Sequence, residues 1–181
     1  MDPFIKGKKI NLRRLHRADA ISIQKYANDP EVTRFLFTPY PYTLEHAYEF
    51  IRMSHRMHRR KSGFSFGIEH KDRREIIGLI GLYHVDTTHK NAEVGFWLGR
   101  DYWGQGCTKE AMNLILKYAF NEIGLKRVFA RVMHPNTVSL KLLESIGFKR
   151  EGAMRKAIYK DGRWLDFIWF AMLREEFEKS K

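Results

Sequence analysis

Along this chain the spacing of apolar side chains switches between every second position and every third or fourth, and each switch marks an element. Residues 8–15 alternate charged and apolar side chains as an edge strand does. Asp19 then caps a helix with Ile21, Ile23, Tyr26 and Ala27 as its apolar positions. Residues 35–42 hold too much proline for a helix and too many aromatic rings for an idle loop. They read either as a lid packed on the core or as one wall of a substrate slot, to which Phe37 and Tyr40 contribute. Thr43 starts a second helix, apolar at Leu44, Ala47, Tyr48 and Ile51. Strands follow at 64–70 and 75–85 around a polar turn, and a third at 92–98, which together predict an antiparallel meander.

A helix opening near Thr108 carries Ala111, Leu114, Ile115, Tyr118 and Ala119 at helical spacing and stops at Gly124, ahead of a strand at 127–133. Strand, crossover helix and strand in that order predict a parallel pair. Asn136 or Thr137 caps a further helix, apolar at Leu140, Leu143 and Ile146 and stopped by Gly147. Residues 157–159 and 164–173 then form a hairpin that turns at Asp161-Gly162. The expected fold class is α/β (α+β): one domain over residues 1–181, with a mixed, mostly antiparallel sheet of about seven strands and flanking helices.

The 44% hydrophobic content suits one core. Residues 76–83, the longest apolar run, fall short of the roughly 20 residues a membrane helix needs, and the start lacks the order of a signal peptide, so a soluble, cytoplasmic protein is expected. Cys107 is the only cysteine and reads as a packing residue. Thirty-three Lys and Arg against 21 Asp and Glu give a net charge of +12, which predicts attraction to polyanions such as phosphorylated cofactors, RNA or ribosomal surfaces. The densest basic run, His55 to Lys61, reads as a solvated helix end, with an RNA-facing patch as the alternative. Its two histidines have no partner pair at zinc-site spacing, so no metal is expected.

The chemistry concentrates between Asn91 and Glu110. The strand carrying Glu93 empties into Tyr102-Trp103-Gly104-Gln105-Gly106-Cys107-Thr108, where two glycines leave backbone N–H groups uncovered and the next helix adds the positive end of its dipole. Such a turn suits phosphate oxygens. It lacks the Lys-Ser or Lys-Thr of a Walker loop and has Lys109 where a dinucleotide-binding turn needs a third glycine.

This order of elements, with Trp103-Gly104-Gln105-Gly106, then Asn136, Ser139 and Gly147-Phe148, resembles the GNAT superfamily of N-acetyltransferases. Ala92-Glu93-Val94-Gly95, Glu110-Ala111 and Gly162-Arg163-Trp164-Leu165-Asp166 resemble the branch that contains the ribosomal-protein N-terminal acetyltransferases. The resemblance implies acetyl-CoA in a cleft where the Glu93 strand and the 127–133 strand splay. Its pyrophosphate would lie on the turn of Trp103, Gly104, Gln105, Gly106, Cys107 and Thr108, with Lys109 adding charge and Leu98 and its neighbours bonding the pantetheine arm. Trp103 and Thr108 depart from the usual superfamily turn, and Thr108 is expected to cap the helix.

Acetyl transfer needs a neutral amine, a donor for the carbonyl oxygen and a proton for the thiolate. Glu93 is the candidate base, acting directly or through water; its other reading is a strand residue paired with an arginine. An α-amine, with pKa about 8, loses its proton more readily than a lysine at about 10.4, which favours an N-terminal acceptor. Leu143 stands where many superfamily members carry a tyrosine acid, so Ser139 is expected to meet the thiolate and Asn136 to order the pantetheine, unless both serve only the helix cap. A backbone N–H near Phe96 is the expected oxyanion donor. By the resemblance Tyr159, Trp164 and Asp166 form the second wall of the acceptor slot, and His84, His89 and His134 are rival bases. Expected partners are acetyl-CoA and a protein N-terminus, in proximity to the ribosome or RNA, on a monomer or homodimer. A polyamine or aminoglycoside acceptor and a non-catalytic CoA-binding module are the alternatives.

Overall fold

The computed structural model describes residues 4–179. β1 (Phe4–Lys6) is the outer edge and pairs antiparallel with β2 (Ile10–Arg13), so the edge expected at residues 8–15 lies one strand further out. After a short 3-10 turn come α1 (Ala20–Ala27), the single-turn α2 (Pro30–Thr33) and α3 (Leu44–Arg60). Asp19 stands at the N-cap of α1 as its spacing suggests, but its side chain makes no cap bond. Its carboxylate turns back to Arg13, at 2.8 and 2.9 Å, and to the His16 N–H. Arg13 also donates to Glu69 at 2.6 Å, and these two carboxylates strengthen its hold on its proton, Asp19 most of all. Ala20 rather than Ile21 fills the core position, and Ile21 is 68% exposed. Thr43 caps α3 as expected, accepting from the His46 N–H.

β3 (Phe64–His70), β4 (Ile76–Asp86) and β5 (Asn91–Leu98) continue the antiparallel meander. The first seven residues of β4 are buried throughout, as a central strand covered on both faces must be. Leu79 faces α1 and α3 in one cluster with Ile23, Ala47 and Ile51. Ile80 and Leu82 face the larger cluster with Met112, Ile115 and Phe120. The latter residues come from α4 (Cys107–Lys117) and the wider π-type turn at Tyr118–Ile123, which together end at Gly124 as predicted.

β6 (Arg127–Met133) runs parallel to β5, the only parallel pair among the described residues. α5 (Thr137–Ile146) follows, then β7 (Lys149–Lys160), β8 (Arg163–Leu173) and α6 (Arg174–Lys179). Among the described residues the sheet has eight strands in the order β1-β2-β3-β4-β5-β6-β8-β7. The Asp161-Gly162 turn joins Lys160 and Arg163, and both of its residues have positive φ (49° and 78°), as a primed hairpin requires. Among the described residues no helix is long and apolar enough to cross a membrane, and no cluster of three or more His, Cys, Asp or Glu could hold a metal.

Glu75 joins this frame to the turn that follows β5. It accepts from Tyr26 at 2.7 Å and from Tyr102 at 3.0 Å, and Arg73 donates to the Tyr102 hydroxyl. Burial works against its charge, but the two hydroxyls, Lys25 and Arg73 outweigh burial and hold its carboxyl below the ordinary value. A carboxylate depressed in the fold contributes stability above about pH 4.3, lost as pH falls through its lower folded value. Urea midpoints of wild type and Glu75→Gln should therefore differ at neutral pH and converge as pH falls below the ordinary carboxylate range. A constant gap across that range would mean that the charge is not what stabilises.

Candidate active site

β5 and β6 pair only at Asn91–Arg127, Ala92–Val128 and Glu93–Phe129. Beyond Glu93 they diverge, because each keeps its outer partner: β5 stays with β4 to Leu98, and β6 stays with β8 to Met133. The gap is a cleft of about 160 Å³. Glu93, Val94, Gly95 and Phe96 line one side and Ala130 to Met133 the other, with Asn136 and Ser139 of α5 and the Phe35-Leu36-Phe37 loop completing it. The expected splay is present, and it opens at the residue the sequence singles out.

Just beyond Leu98 the chain bends through a short 3-10 turn into the glycine segment. The Trp103 indole N–H donates to the Leu98 carbonyl at 2.7 Å and so fastens the turn to the strand end. Gly104 and Gly106 have φ of 73° and 80°, and a Cβ on either would meet nothing within 4 Å. Their backbone therefore borders open space. Gly106, not Thr108, is the residue before the helix: the first intrahelical bond is Glu110 N–H to the Gly106 carbonyl, so the N–H groups of Cys107, Thr108 and Lys109 have no helical acceptor. Thr108 adds no cap because the left-handed glycine already sets the helix entry.

The turn is braced from behind. Lys9 donates through Nζ to the Gln105 carbonyl at 2.8 Å, Gln105 reaches the Asp101 carbonyl, and the Glu110 carboxylate accepts from the Lys8 and Lys9 N–H groups. A carboxylate in the first turn also suits the helix dipole. Lys109 bonds the Ser145 carbonyl at 3.3 Å and ties α4 to the last turn of α5. Cys107 is buried beneath the turn, and burial pushes its thiol up.

Within the cleft Glu93 forms a two-pronged pair with Arg131, Nε to Oε1 at 2.8 Å and Nη2 to Oε2 at 2.6 Å. The arginine reading of Glu93 is thus the observed contact, and the carboxylate raises the Arg131 pKa. Arg131 also lies over the rings of Phe167 and Trp169, at 5.5 and 5.7 Å from their centroids. Phe37 faces Phe167, with ring centroids 6.1 Å apart. Asn136 caps α5, its Oδ1 accepting from the Ser139 N–H at 3.2 Å.

Phe37, Glu93, Phe96, Asn136 and Ser139 are thus brought together. Tyr40, Tyr159, Trp164 and Asp166 do not line this cleft, nor do His84, His89 and His134. Tyr159 and Trp164 pack on each other at the hairpin, each about 60% exposed. Asp166 accepts from the Lys156 N–H at 2.8 Å, a bond that shapes an irregular stretch of β7. Arg131 and Phe167 are among the lining residues that sequence reasoning passes over. Arg131 had a signal, a lone charge inside the apolar run Val128 to Met133.

A family profile described as an acetyltransferase (GNAT) domain matches residues 9–149. An N-acetyltransferase of Bacillus licheniformis, p20, is 33% identical over 171 residues, 94% of this chain and 96% of its own. The [ribosomal protein uS5]-alanine N-acetyltransferase of Escherichia coli (strain K12) is 30% identical over 130 residues, 71% of this chain and 67% of its own. Among solved structures RimL, a ribosomal L7/L12 alpha-N-protein acetyltransferase in complex with coenzyme A, superposes with a TM-score of 0.87 at 19% identity, over 94% of this chain and 98% of its own. With the splayed strands and the glycine turn in place, the profile and these relatives settle the family: the chain belongs to the GNAT N-acetyltransferases, which use acetyl-CoA.

Proposed function

We propose that the chain transfers the acetyl group of acetyl-CoA to the α-amine of a protein N-terminus in the cytoplasm, and that the break in β5–β6 pairing immediately after Glu93 is where this happens. Acetyl-CoA is a substrate here and supplies the thioester. Gly104 and Gly106 bordering open space, and the N–H groups of Cys107, Thr108 and Lys109, fit a diphosphate. The β5 edge from Val94 to Leu98 offers main-chain groups to the pantetheine amides. Glu93, oriented by Arg131, keeps lone pairs on both oxygens and accepts the amine proton through a water. The amine nitrogen then attacks the thioester carbon, a backbone N–H near Phe96 meets the oxyanion, and the carbon–sulfur bond breaks. The amide nitrogen gives up its surplus proton, which passes through solvent to the departing thiolate, while Ser139 donates a hydrogen bond to that sulfur.

The charge of the cleft supports a peptide acceptor. Among the described residues Glu93 is its one lining carboxylate, and Arg131 matches it, which leaves no surplus negative charge there to favour a polyamine or aminoglycoside. Released thiol, followed with a chromogenic reagent, should appear fastest with peptides bearing a free α-amine and vanish on N-terminal blocking. Faster turnover with spermidine would replace the reading, and coenzyme A binding without turnover of any amine would leave only a ligand-binding module.

Ser139→Ala should lower kcat about tenfold, the scale of one hydrogen bond. Its backbone N–H still meets Asn136, so α5 keeps its cap. Unchanged turnover would remove the hydroxyl from the chemistry.

A further inference from the structure

A cavity of about 370 Å³ lies away from the cleft. It is lined by Arg17, Arg52, His55, Arg56 and Arg59 over a floor of Tyr48 and Ile51. Arg52, Arg56 and Arg59 recur at helical spacing on one face of α3, along about 10 Å of its axis. Arg17 reaches in from the 3-10 turn before α1, its guanidinium 4.5 Å from the centre of the Tyr48 ring. His55 bonds the Leu15 carbonyl at 2.8 Å and fastens that turn to the helix, so the two sources of charge are held together.

Cations gather at a helix C-terminus for the sake of the dipole, and that accounts for Arg59 and Arg60. It does not account for Arg52 and Arg56, one to two turns earlier, or for Arg17 from another element. Among the described residues no carboxylate lies within ion-pair distance of Arg17, Arg56 or Arg59, and Arg52 has only Glu49 at 4.0 Å on an exposed surface. No apolar side chain stands out from the cavity to enter a lipid layer: Ile51 is buried and Tyr48 lies under Arg17.

We propose that this arginine-lined cavity on α3 is a binding site for the phosphodiester backbone of a nucleic acid. A row of guanidinium forks suits successive phosphates, whereas a free anion needs only one of them. Its footing is independent of the acceptor assigned to the cleft.

The test is fluorescence anisotropy with fluorescein-labelled oligouridine and oligodeoxythymidine over a series of salt concentrations. Arg56→Gln/Arg59→Gln is compared with Lys117→Gln/Arg150→Gln, which removes the same charge from other surfaces. The first variant should bind about tenfold more weakly, with a log–log salt slope shallower by about 1.4, two phosphates at about 0.7 each. The second should stay within about threefold of wild type. Acetylation of a short peptide should be unchanged in both, which separates failure here from failure of the cleft. Equal affinity for the two oligomers supports reading of the backbone alone, and preference for oligouridine identifies RNA as the source. Equal losses in the two variants, no binding at physiological salt, or tighter binding to phosphatidylserine vesicles than to either oligomer would each overturn the proposal.

Discussion

Glu93→Gln is expected to lower kcat with an N-terminal peptide by roughly a hundredfold, at the lower end of what a positioned base contributes. The substitution keeps the shape of the side chain and one acceptor for Arg131, but removes the charge that would take up a proton. The paired side chains are partly exposed, so the stability cost should stay near about 1 kcal/mol and the thermal midpoint should barely move. Steady-state kinetics beside a melting curve separate the two effects. Turnover within about twofold of wild type would reduce Glu93 to a structural partner of Arg131 and pass the proton to solvent.

Gly104→Ala/Gly106→Ala should raise the KM for acetyl-CoA about tenfold or more, the scale of one or two main-chain hydrogen bonds. Both positions have positive φ, which costs alanine about 1–2 kcal/mol each. The added methyl groups would meet no protein atom within 4 Å, so they stand where a ligand would come close and should not disturb packing. Gly124→Ala is the matched control: its φ is 79°, its Cβ direction is equally open, and it lies at the far end of the helical segment. It should lose comparable stability per site and keep its KM. A KM that rises as much in the control would show that strain, not access, sets the effect.

The parts of this fold that show in the sequence are those with local causes. Asp161-Gly162 states a hairpin, Gly124 and Gly147 state helix ends, and the run from Ile76 states a central strand. Of β7 only its end, residues 157–159, shows in the sequence; the stretch from Lys149 to Lys156 is exposed throughout, which removes the alternation that marks a strand. Only its pairing with β8 makes it extended, and Lys156, at positive φ, interrupts that pairing. Asp19 followed a cap pattern yet went to Arg13, because an arginine offers a carboxylate more than one N–H does.

The site divides in the same way. Its glycine turn was legible because the conformation belongs to the residues themselves. The pairing of Glu93 with Arg131 was not, since 38 positions separate them and only the parallel register brings them into reach. The resemblance places Tyr159, Trp164 and Asp166 at the slot, whereas the hairpin carries the two rings outside the cleft and the backbone engages the carboxylate.

The three-residue ladder between β5 and β6 has one more consequence. It makes the sheet two slabs sharing a short seam, with α4 as the strap across it. A molecule lying along the open part of that seam would touch both slabs at once and stiffen the joint, so the protein would sense its own cargo as a change in rigidity.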